Sequence, residues 1–247
     1  MNPDIRIVVA GEQALQIEFK NEISIENSSR VTQLHAVLDG MSIPGVIEII
    51  QAYRTLMLHY RPEVIRYSEL KAQVESVLED ISFETQKKDL VFVTEIPVLY
   101  GGEWGPDLEE VAEKERMTTE EVIRRHSTNP NYLYFVGFSP GMPYLGNPNR
   151  TFSVPRRPSP RLHLLRGAVT IWQNQTTVFP VDDPGGWNVI GRTPLRLFDP
   201  HREPAILLES GQWVQFRPID RAEYDEIDRQ IEAGTYQVKT YWKEQPK

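Results

Sequence analysis

The spacing of hydrophobic residues in the first half of the N-terminal region predicts two strands followed by a helix. Apolar runs at 5–9 and 14–19 flank a turn at Gly11, and the second run alternates apolar and polar side chains as a half-buried strand does. Residues 25–38 then repeat apolar side chains at helical spacing, and Gly40 ends the pattern.

The same order recurs in the next segment. Runs at 46–50 and 55–60 predict two more strands, and residues 68–81 place their apolar side chains on one helical face. Two strand–strand–helix units form one four-stranded sheet with both helices on the same side. We therefore predict a small α+β domain over residues 1–86, with the polar segment 84–89 as the linker.

The remaining residues, 87–247, predict a second domain of a different type. Short strand-like runs alternate with Gly and Pro, which is typical of a closed or nearly closed β-barrel. The predicted strands are 90–99, 168–171, 176–179, 195–198, 205–208 and 213–217.

Helical spacing interrupts the barrel pattern in two places. A helical insert is predicted at 106–126, where Pro106 suits the first turn of a helix and Thr118 with Glu121 forms a capping box. A C-terminal amphipathic helix is predicted at 221–233, and residues 240–247 are predicted to fray.

Charge and composition narrow the classes of function. A net charge of −8 disfavours general nucleic-acid binding, although basic residues cluster between 150 and 166. The absence of cysteine excludes disulfides and thiol nucleophiles and fits a reducing cytoplasm. Because no apolar run is long enough for a signal peptide or a membrane span, we expect a cytoplasmic protein that binds neither membrane nor nucleic acid.

General catalytic motifs are absent from the sequence. We find no Gly-x-Ser-x-Gly elbow, no phosphate-binding Gly-x-x-x-x-Gly-Lys loop and no His-Glu-x-x-His zinc motif. The five histidines are scattered, and none pairs at metal-ligand spacing. We therefore predict no metal site and no tightly bound cofactor.

Four loop-like stretches are rich in Gly, Pro and aromatic residues, and they are the candidates for chemistry. They span residues 100–107, 137–146, 155–161 and 182–194. The alternative for each stretch is a structural role, with glycines in tight turns, prolines at barrel edges, and Trp104 and Trp187 as plugs at the barrel ends.

The third stretch suggests that the protein binds an anion. Arg156, Arg157 and Arg161 place three guanidinium groups within six residues. Guanidiniums bind carboxylate or phosphate groups in a bidentate manner, so this spacing favours an anion site. A solvated surface loop is the alternative.

The fourth stretch offers further hydrogen-bond donors. Gly185 and Gly186 leave backbone N–H groups accessible, and Arg192 and Thr193 follow closely. Such a Gly-Gly pair can form an anion-binding nest of backbone donors.

These four stretches, in their order, resemble the KipI family, which is related to the B subunit of bacterial 5-oxoprolinase and is also labelled allophanate hydrolase subunit 1. The resemblance rests on Tyr100-Gly-Gly-Glu-Trp-Gly-Pro-Asp107, Gly137-Phe-Ser-Pro-Gly-Met-Pro-Tyr-Leu-Gly146 and Pro184-Gly-Gly-Trp-Asn-Val-Ile-Gly-Arg-Thr-Pro194. It covers most of the chain and is strongest between residues 100 and 200.

The resemblance implies a small N-terminal α+β domain, with ββα repeated twice, followed by a cyclophilin-like β-barrel. It further implies one component of an enzyme that opens 5-oxo-L-proline to L-glutamate, with ATP as its Mg complex as co-substrate. The implied partners are a homologous cyclophilin-like C subunit and a barrel-type A subunit, and the chain alone would be inactive.

Two other functions stay open under the same resemblance. A related family member binds a sporulation sensor histidine kinase and blocks its autophosphorylation, so this chain could be a kinase inhibitor. Another related system acts in allophanate or urea metabolism, which would make this chain a component of an amidolyase-like enzyme.

For the enzyme we assign roles to the residues of the third and fourth stretches. Arg156 and Arg161 would bind an anionic group, and Asp182 or Asp183 would serve as an acid/base or metal–nucleotide carboxylate. At most one of these two carboxylates faces the groove, because neighbours on a strand point to opposite faces. The supporting donors would be Gly185, Gly186, Arg192 and Thr193.

The segment 165–177 departs from the family pattern. Trp172 stands where the family has small residues, and Thr177 stands where it has a glycine. Gln175 and Thr176 keep the pattern, so we predict that they line the groove. Trp172 would narrow the groove, and we predict that it determines substrate specificity.

Overall fold

The computed structural model describes residues 4–83, 90–147 and 152–245. These residues form two compact units, Met1–Lys87 and Lys88–Lys247. The predicted linker, 84–89, lies outside the described residues, and so does the predicted domain boundary between residues 86 and 87.

The first unit contains the predicted strand–strand–helix order twice. Its four strands form one antiparallel sheet in the order β1-β2-β4-β3. The elements are β1 (Arg6–Val9), β2 (Ala14–Glu18), α1 (Ile25–Gly40), β3 (Val46–Gln51), β4 (Thr55–Tyr60) and α2 (Tyr67–Asp80).

Both helices of this unit cover the same face of its sheet. The period-two alternation of β2 and β4 turns Leu15 and Leu58 to one face, where both are fully buried. Leu34 of α1 and Leu70 of α2 belong to the same hydrophobic cluster as these strand residues. Burial of this single face explains why both helices pack on one side of the sheet.

The second unit begins with a long strand and two short helices. These elements are β5 (Leu90–Tyr100), a 3-10 turn (Gly102–Trp104), α3 (Leu108–Glu115) and α4 (Thr119–Ser127). The strands that follow are β6 (Asn131–Val136), β7 (Pro143–Gly146), β8 (Arg161–Leu164), β9 (Ala168–Trp172), β10 (Gln175–Val178), β11 (Asp183–Gly185), β12 (Asn188–Arg192) and β13 (Trp213–Pro218). The chain continues with α5 (Arg221–Glu232) and β14 (Thr240–Glu244).

Seven strands of the described residues close into a mixed β-barrel. Their order is β12-β9-β10-β7-β6-β13-β5, and β5 pairs with β12 to close the ring. The β13–β5 pair is parallel, whereas the other pairs of the ring are antiparallel. The main hydrophobic cluster takes residues from every strand of the ring, including Ile96, Leu133, Leu145, Ile171, Val178, Ile190 and Phe216.

The helices of the second unit begin at polar caps. The Thr118 hydroxyl accepts a hydrogen bond from the backbone N–H of Glu121 at 3.2 Å, which is the first half of the predicted capping box. Helix α3 begins at Leu108 rather than at Pro106, with Asp107 as its N-cap residue. None of the described helices has the length and hydropathy of a membrane span.

Three sequence predictions about this unit are wrong. Residues 195–198 and 205–208 form no strands, and only an isolated bridge joins Phe198 to Ile206. Both segments are rich in leucine because these side chains pack into the barrel core, although neither segment pairs in a sheet. Residues 240–244 do not fray but form β14, which pairs with the first half of β5.

Candidate functional site

A cavity of about 340 Å³ opens in the second unit and collects residues from three of the Gly-Pro-aromatic stretches. Aromatic rings dominate its walls, and Arg156 is the one charged side chain among its described lining residues. The lining residues are Phe138, Met142, Tyr144, Arg156, Pro160, Phe179, Pro184, Gly185, Gly186 and Trp187.

Two aromatic side chains hold the guanidinium of Arg156 in place. Its central carbon lies 4.2 Å from the centre of the Trp172 ring and 5.9 Å from that of Trp187. The two indoles are themselves 5.5 Å apart. In the described part of the chain no carboxylate lies within ion-pair distance of Arg156. Cation–π contacts of about 0.5–2 kcal/mol orient the charge without neutralising it, so Arg156 can bind an anionic ligand.

The two neighbouring arginines have a different environment, because both pair with the buried carboxylate of Asp107. Arg161 binds it through two hydrogen bonds of 2.7 Å, and Arg157 adds a third of 2.6 Å. The backbone N–H of Val189 donates to the same carboxylate at 2.7 Å. Hydrogen bonding to Asp107 raises the pKa of Arg161. Arg161 therefore ties the loop to the barrel, and it does not line the cavity.

The two adjacent aspartates have different partners. The hydroxyl of Ser139 donates to the Asp183 carboxylate, which joins the loop at 137–142 to β11. Asp182 accepts from the backbone N–H of Arg166 at 2.7 Å and lies 3.5 Å from Nε2 of His163. Neither carboxylate is among the described residues that line the cavity.

Both adjacent glycines line the cavity, and Gly185 is required there for close packing. A Cβ on Gly185 would lie 2.6 Å from Leu164 and 2.7 Å from Phe179. The carbonyl of Gly186 accepts from the backbone N–H of Arg157 at 2.8 Å. Neither glycine has the left-handed φ that an anion nest uses.

Tyr144 contributes an aromatic ring to the cavity wall. Its ring stacks on Phe135 at 4.3 Å with 10° between the planes, and it meets Trp187 edge-on at 6.2 Å. Burial raises the pKa of Tyr144, although the positive charge of Arg156 acts in the opposite direction. The phenol therefore stays protonated at neutral pH.

Thr176 lies in the barrel core and not in the cavity. It is fully buried opposite Ile171, and its hydroxyl donates to the carbonyl of Thr170 at 3.0 Å. Since that hydrogen is already used, Nε2 of His126, 2.9 Å away, must donate to the Thr176 oxygen. In the neutral imidazole, Nδ1 then accepts from the Tyr100 hydroxyl at 2.7 Å.

Three further predicted residues also lie outside the cavity. Gln175 stands opposite Trp172 in the β9–β10 pair and shares its face of the sheet. Arg192 places its guanidinium 4.5 Å from the centre of the Trp104 ring. Thr193 is buried, and its hydroxyl accepts a backbone N–H at 3.2 Å. Of the predicted site residues, the cavity thus brings together Arg156, Gly185 and Gly186, with Trp172 in contact with Arg156.

The aromatic residues of the cavity wall were not assigned to the site from the sequence. Most of these residues nevertheless lie in two of the four stretches that the sequence singled out. Phe138, Tyr144 and Trp187 belong to stretches 137–146 and 182–194. Phe138 is 75% exposed and has a φ of +71°. A left-handed backbone is costly for a bulky residue and is enriched at functional sites. That backbone conformation was not visible in the sequence.

A model of the carboxyltransferase domain, subdomain C and D, matches residues 5–208. Among curated proteins, the B subunit of 5-oxoprolinase from Bacillus subtilis (strain 168) is 38% identical over 226 residues. That alignment covers 87% of this chain and 92% of the relative.

Solved structures are similar to this chain in fold. The crystal structure of TTHA0988 superposes with a TM-score of 0.74 and 31% identity, over 84% of this chain. This chain spans 40% of that longer chain. The K. lactis urea amidolyase superposes with a TM-score of 0.81 over 97% of this chain and 16% of its own length. At 15% identity, the second likeness concerns the fold alone.

Proposed function

The chain belongs to the carboxyltransferase-domain family, subdomain C and D, and from that membership we propose that it acts as the B subunit of an ATP-dependent 5-oxoprolinase. The observation that carries the proposal is the 38% identity to the B. subtilis protein over nearly the whole length of both chains. The family resemblance predicted from the sequence motifs is thereby confirmed. The cyclophilin-like type of barrel is part of the proposal, and the closed seven-stranded ring supports it.

Within this function, the Arg156 cavity would hold the substrate. 5-Oxo-L-proline carries one carboxylate on a flat five-membered lactam ring. Arg156 supplies a cation for the carboxylate, and Trp187 offers an apolar face for the ring. A cavity of about 340 Å³ is large enough for a ligand of this size.

The cavity lacks groups that ring opening requires. Its described lining residues include no carboxylate and no imidazole that could act as a general base. We therefore propose that the C and A subunits of the enzyme complete the site, with Mg-ATP as co-substrate, and that this chain alone is inactive. Because the reaction consumes ATP, we expect the assembly to work in the cytoplasm, where ATP is available.

Reconstitution from separate proteins tests the proposal. Glutamate release from 5-oxoproline and Mg-ATP would be measured with this chain, its two partner proteins and each subset of the three. We expect release from the full set and none from any subset that omits this chain.

The other outcomes distinguish the alternatives. A stable complex without release would contradict 5-oxoproline as substrate and favour an allophanate- or urea-type reaction. Failure to form a complex would contradict the role in an enzyme complex and leave the kinase-inhibitor prediction, which binding to a sensor histidine kinase would then test.

A further inference from the structure

A second group of cations and aromatic rings lies in the second unit, and it shares no residue with the Arg156 cavity. We call it the Trp104 cluster, formed by Trp104, Arg166, Arg192 and Tyr224. The Arg192 guanidinium lies 4.5 Å from the centre of the Trp104 ring, and the Tyr224 ring stacks on Trp104 at 5.8 Å. Nε of Arg192 donates to the backbone carbonyl of Arg166 at 2.9 Å, and both arginine charges lie close enough to the Tyr224 hydroxyl to act on its pKa.

The charges of Arg166 and Arg192 are not neutralised within the described part of the chain, since no carboxylate there lies within ion-pair distance of either. A third arginine nearby shows the contrast. Arg221, 5.6 Å from the Trp104 ring, pairs with Asp225 at 2.9 Å and with Glu103 at 3.0 Å. The cluster therefore keeps two uncompensated guanidiniums in an acidic protein.

Neutral donors accompany these cations. The indole Nε1–H of Trp104 is buried and has no acceptor among the described residues. A buried donor without a partner costs about 1–3 kcal/mol, so an acceptor supplied by a ligand would remove that cost. Burial raises the pKa of Tyr224, with Arg192 and Arg166 acting against it and Asp228 acting with it. The Tyr224 phenol stays protonated and is a further donor.

We propose that the Trp104 cluster binds a phosphoryl anion. One carboxylate satisfies one guanidinium fork, whereas a phosphoryl group has three oxygens and a second charge. Two guanidiniums from separate segments, both near the Tyr224 phenol and one of them over the Trp104 ring, match the larger anion. The site is independent of the proposed function, although an ATP-coupled reaction would release one such anion as inorganic phosphate.

The buried indole gives a direct probe of binding to the full chain. We would label the five tryptophans with ¹⁵N, assign the Trp104 resonance by its loss in Trp104→Phe, and titrate inorganic phosphate at constant ionic strength. The Trp104 indole signal is expected to shift saturably. Arg192→Gln should weaken phosphate binding at least tenfold, and Arg166→Gln should do the same.

The matched control is Arg229→Gln on α5, which removes one arginine charge from an exposed pair with Glu226. It should leave phosphate affinity unchanged, and the other four indole signals should show that each variant is folded. Absence of a saturable shift in the native chain would overturn the proposal, as would equal weakening by Arg229→Gln. Equal or tighter binding of acetate would overturn the phosphoryl assignment. None of these readouts depends on 5-oxoprolinase activity.

Discussion

Three arginines within six residues have two different roles. Arg157 and Arg161 pair with a carboxylate whose side chain is 3% exposed, whereas Arg156 has aromatic faces as its neighbours. A guanidinium paired bidentately with a buried carboxylate is poorly available to a ligand, because a ligand would have to displace Asp107 and leave its buried charge unpaired. Of the three arginines, Arg156 is therefore the one suited to bind an anionic ligand.

Substitution of Arg156 tests this difference in the reconstituted complex. Arg156→Gln removes the charge while keeping a polar side chain, so the loss of one charged hydrogen bond of about 1.5–3 kcal/mol should raise KM for 5-oxoproline roughly 10- to 100-fold. Arg124→Gln, at an exposed pair on α4, should leave KM unchanged. An unchanged KM in Arg156→Gln would remove this residue from the substrate site.

Asp107 should matter for stability rather than for chemistry. Asp107→Ala leaves Arg161 and the Val189 N–H without their acceptor, and it leaves Arg157 with Glu110 alone, at 3.2 Å. Breaking a buried pair costs about 3–5 kcal/mol, and because the arginines are about a quarter exposed we expect about 2–3 kcal/mol in urea unfolding. Glu103→Ala, which breaks an exposed pair, should change the free energy of unfolding by less than about 0.5 kcal/mol. Equal losses in the two variants would contradict the structural role of Asp107.

At the scale of elements, short irregular strands position the cavity. Strand β11 brings Gly185 against Leu164 of β8, and the Ser139–Asp183 hydrogen bond ties the loop that carries Phe138 to the same strand. The cavity walls therefore depend on close packing between segments that contribute little regular structure of their own.

The two adjacent glycines offer a matched test of this packing. Gly185→Ala would push a methyl group into Leu164 and Phe179, and overpacking of this kind typically costs about 1–3 kcal/mol. At Gly186 the nearest atom to a new Cβ is 3.6 Å away, on Pro160, so Gly186→Ala should be nearly neutral. Urea unfolding of both variants checks the difference. Equal stability of the two would contradict the packing role of Gly185.

Prediction from sequence succeeded where the hydrophobic period was regular and local. The strands and helices of the first unit could be placed to within a few residues, because each buries one face. Strand β14 could not, since its Tyr241 and Trp242 become a strand only by pairing with β5, about 150 residues earlier in the chain. Residues 195–208 gave the opposite error. Their apolar side chains predicted strands, but they belong to a loop that is apolar because it is buried.

The site shows the same limit. The stretches at 137–146 and 182–194 were correctly singled out by their unusual composition, yet composition does not tell which side chain faces the cavity. Arg156 and Arg161 are equivalent in the sequence, and only the position of Asp107, some 50 residues earlier, separates them. Long-range ion pairs of this kind are invisible to local patterns.

At the scale of the whole molecule, both candidate sites belong to the second unit. The Arg156 cavity and the Trp104 cluster use residues between 104 and 224, and the first unit has a hydrophobic cluster of its own. We therefore predict that the two units unfold separately, because a domain with its own core is stabilised mainly by contacts within it.

Matched core substitutions test this independence by amide hydrogen exchange in the full chain. Leu58 and Leu145 are both fully buried, the first in the sheet of the first unit and the second in the barrel. Leu58→Ala should cost about 2–5 kcal/mol and lower protection in β2 and β4 while β9 and β12 keep theirs. Leu145→Ala should give the reverse pattern. Loss of protection in both units from either variant would mean that they unfold as one body. Separate unfolding would instead mean that a partner protein can engage the barrel and its anion sites whatever the state of the first unit.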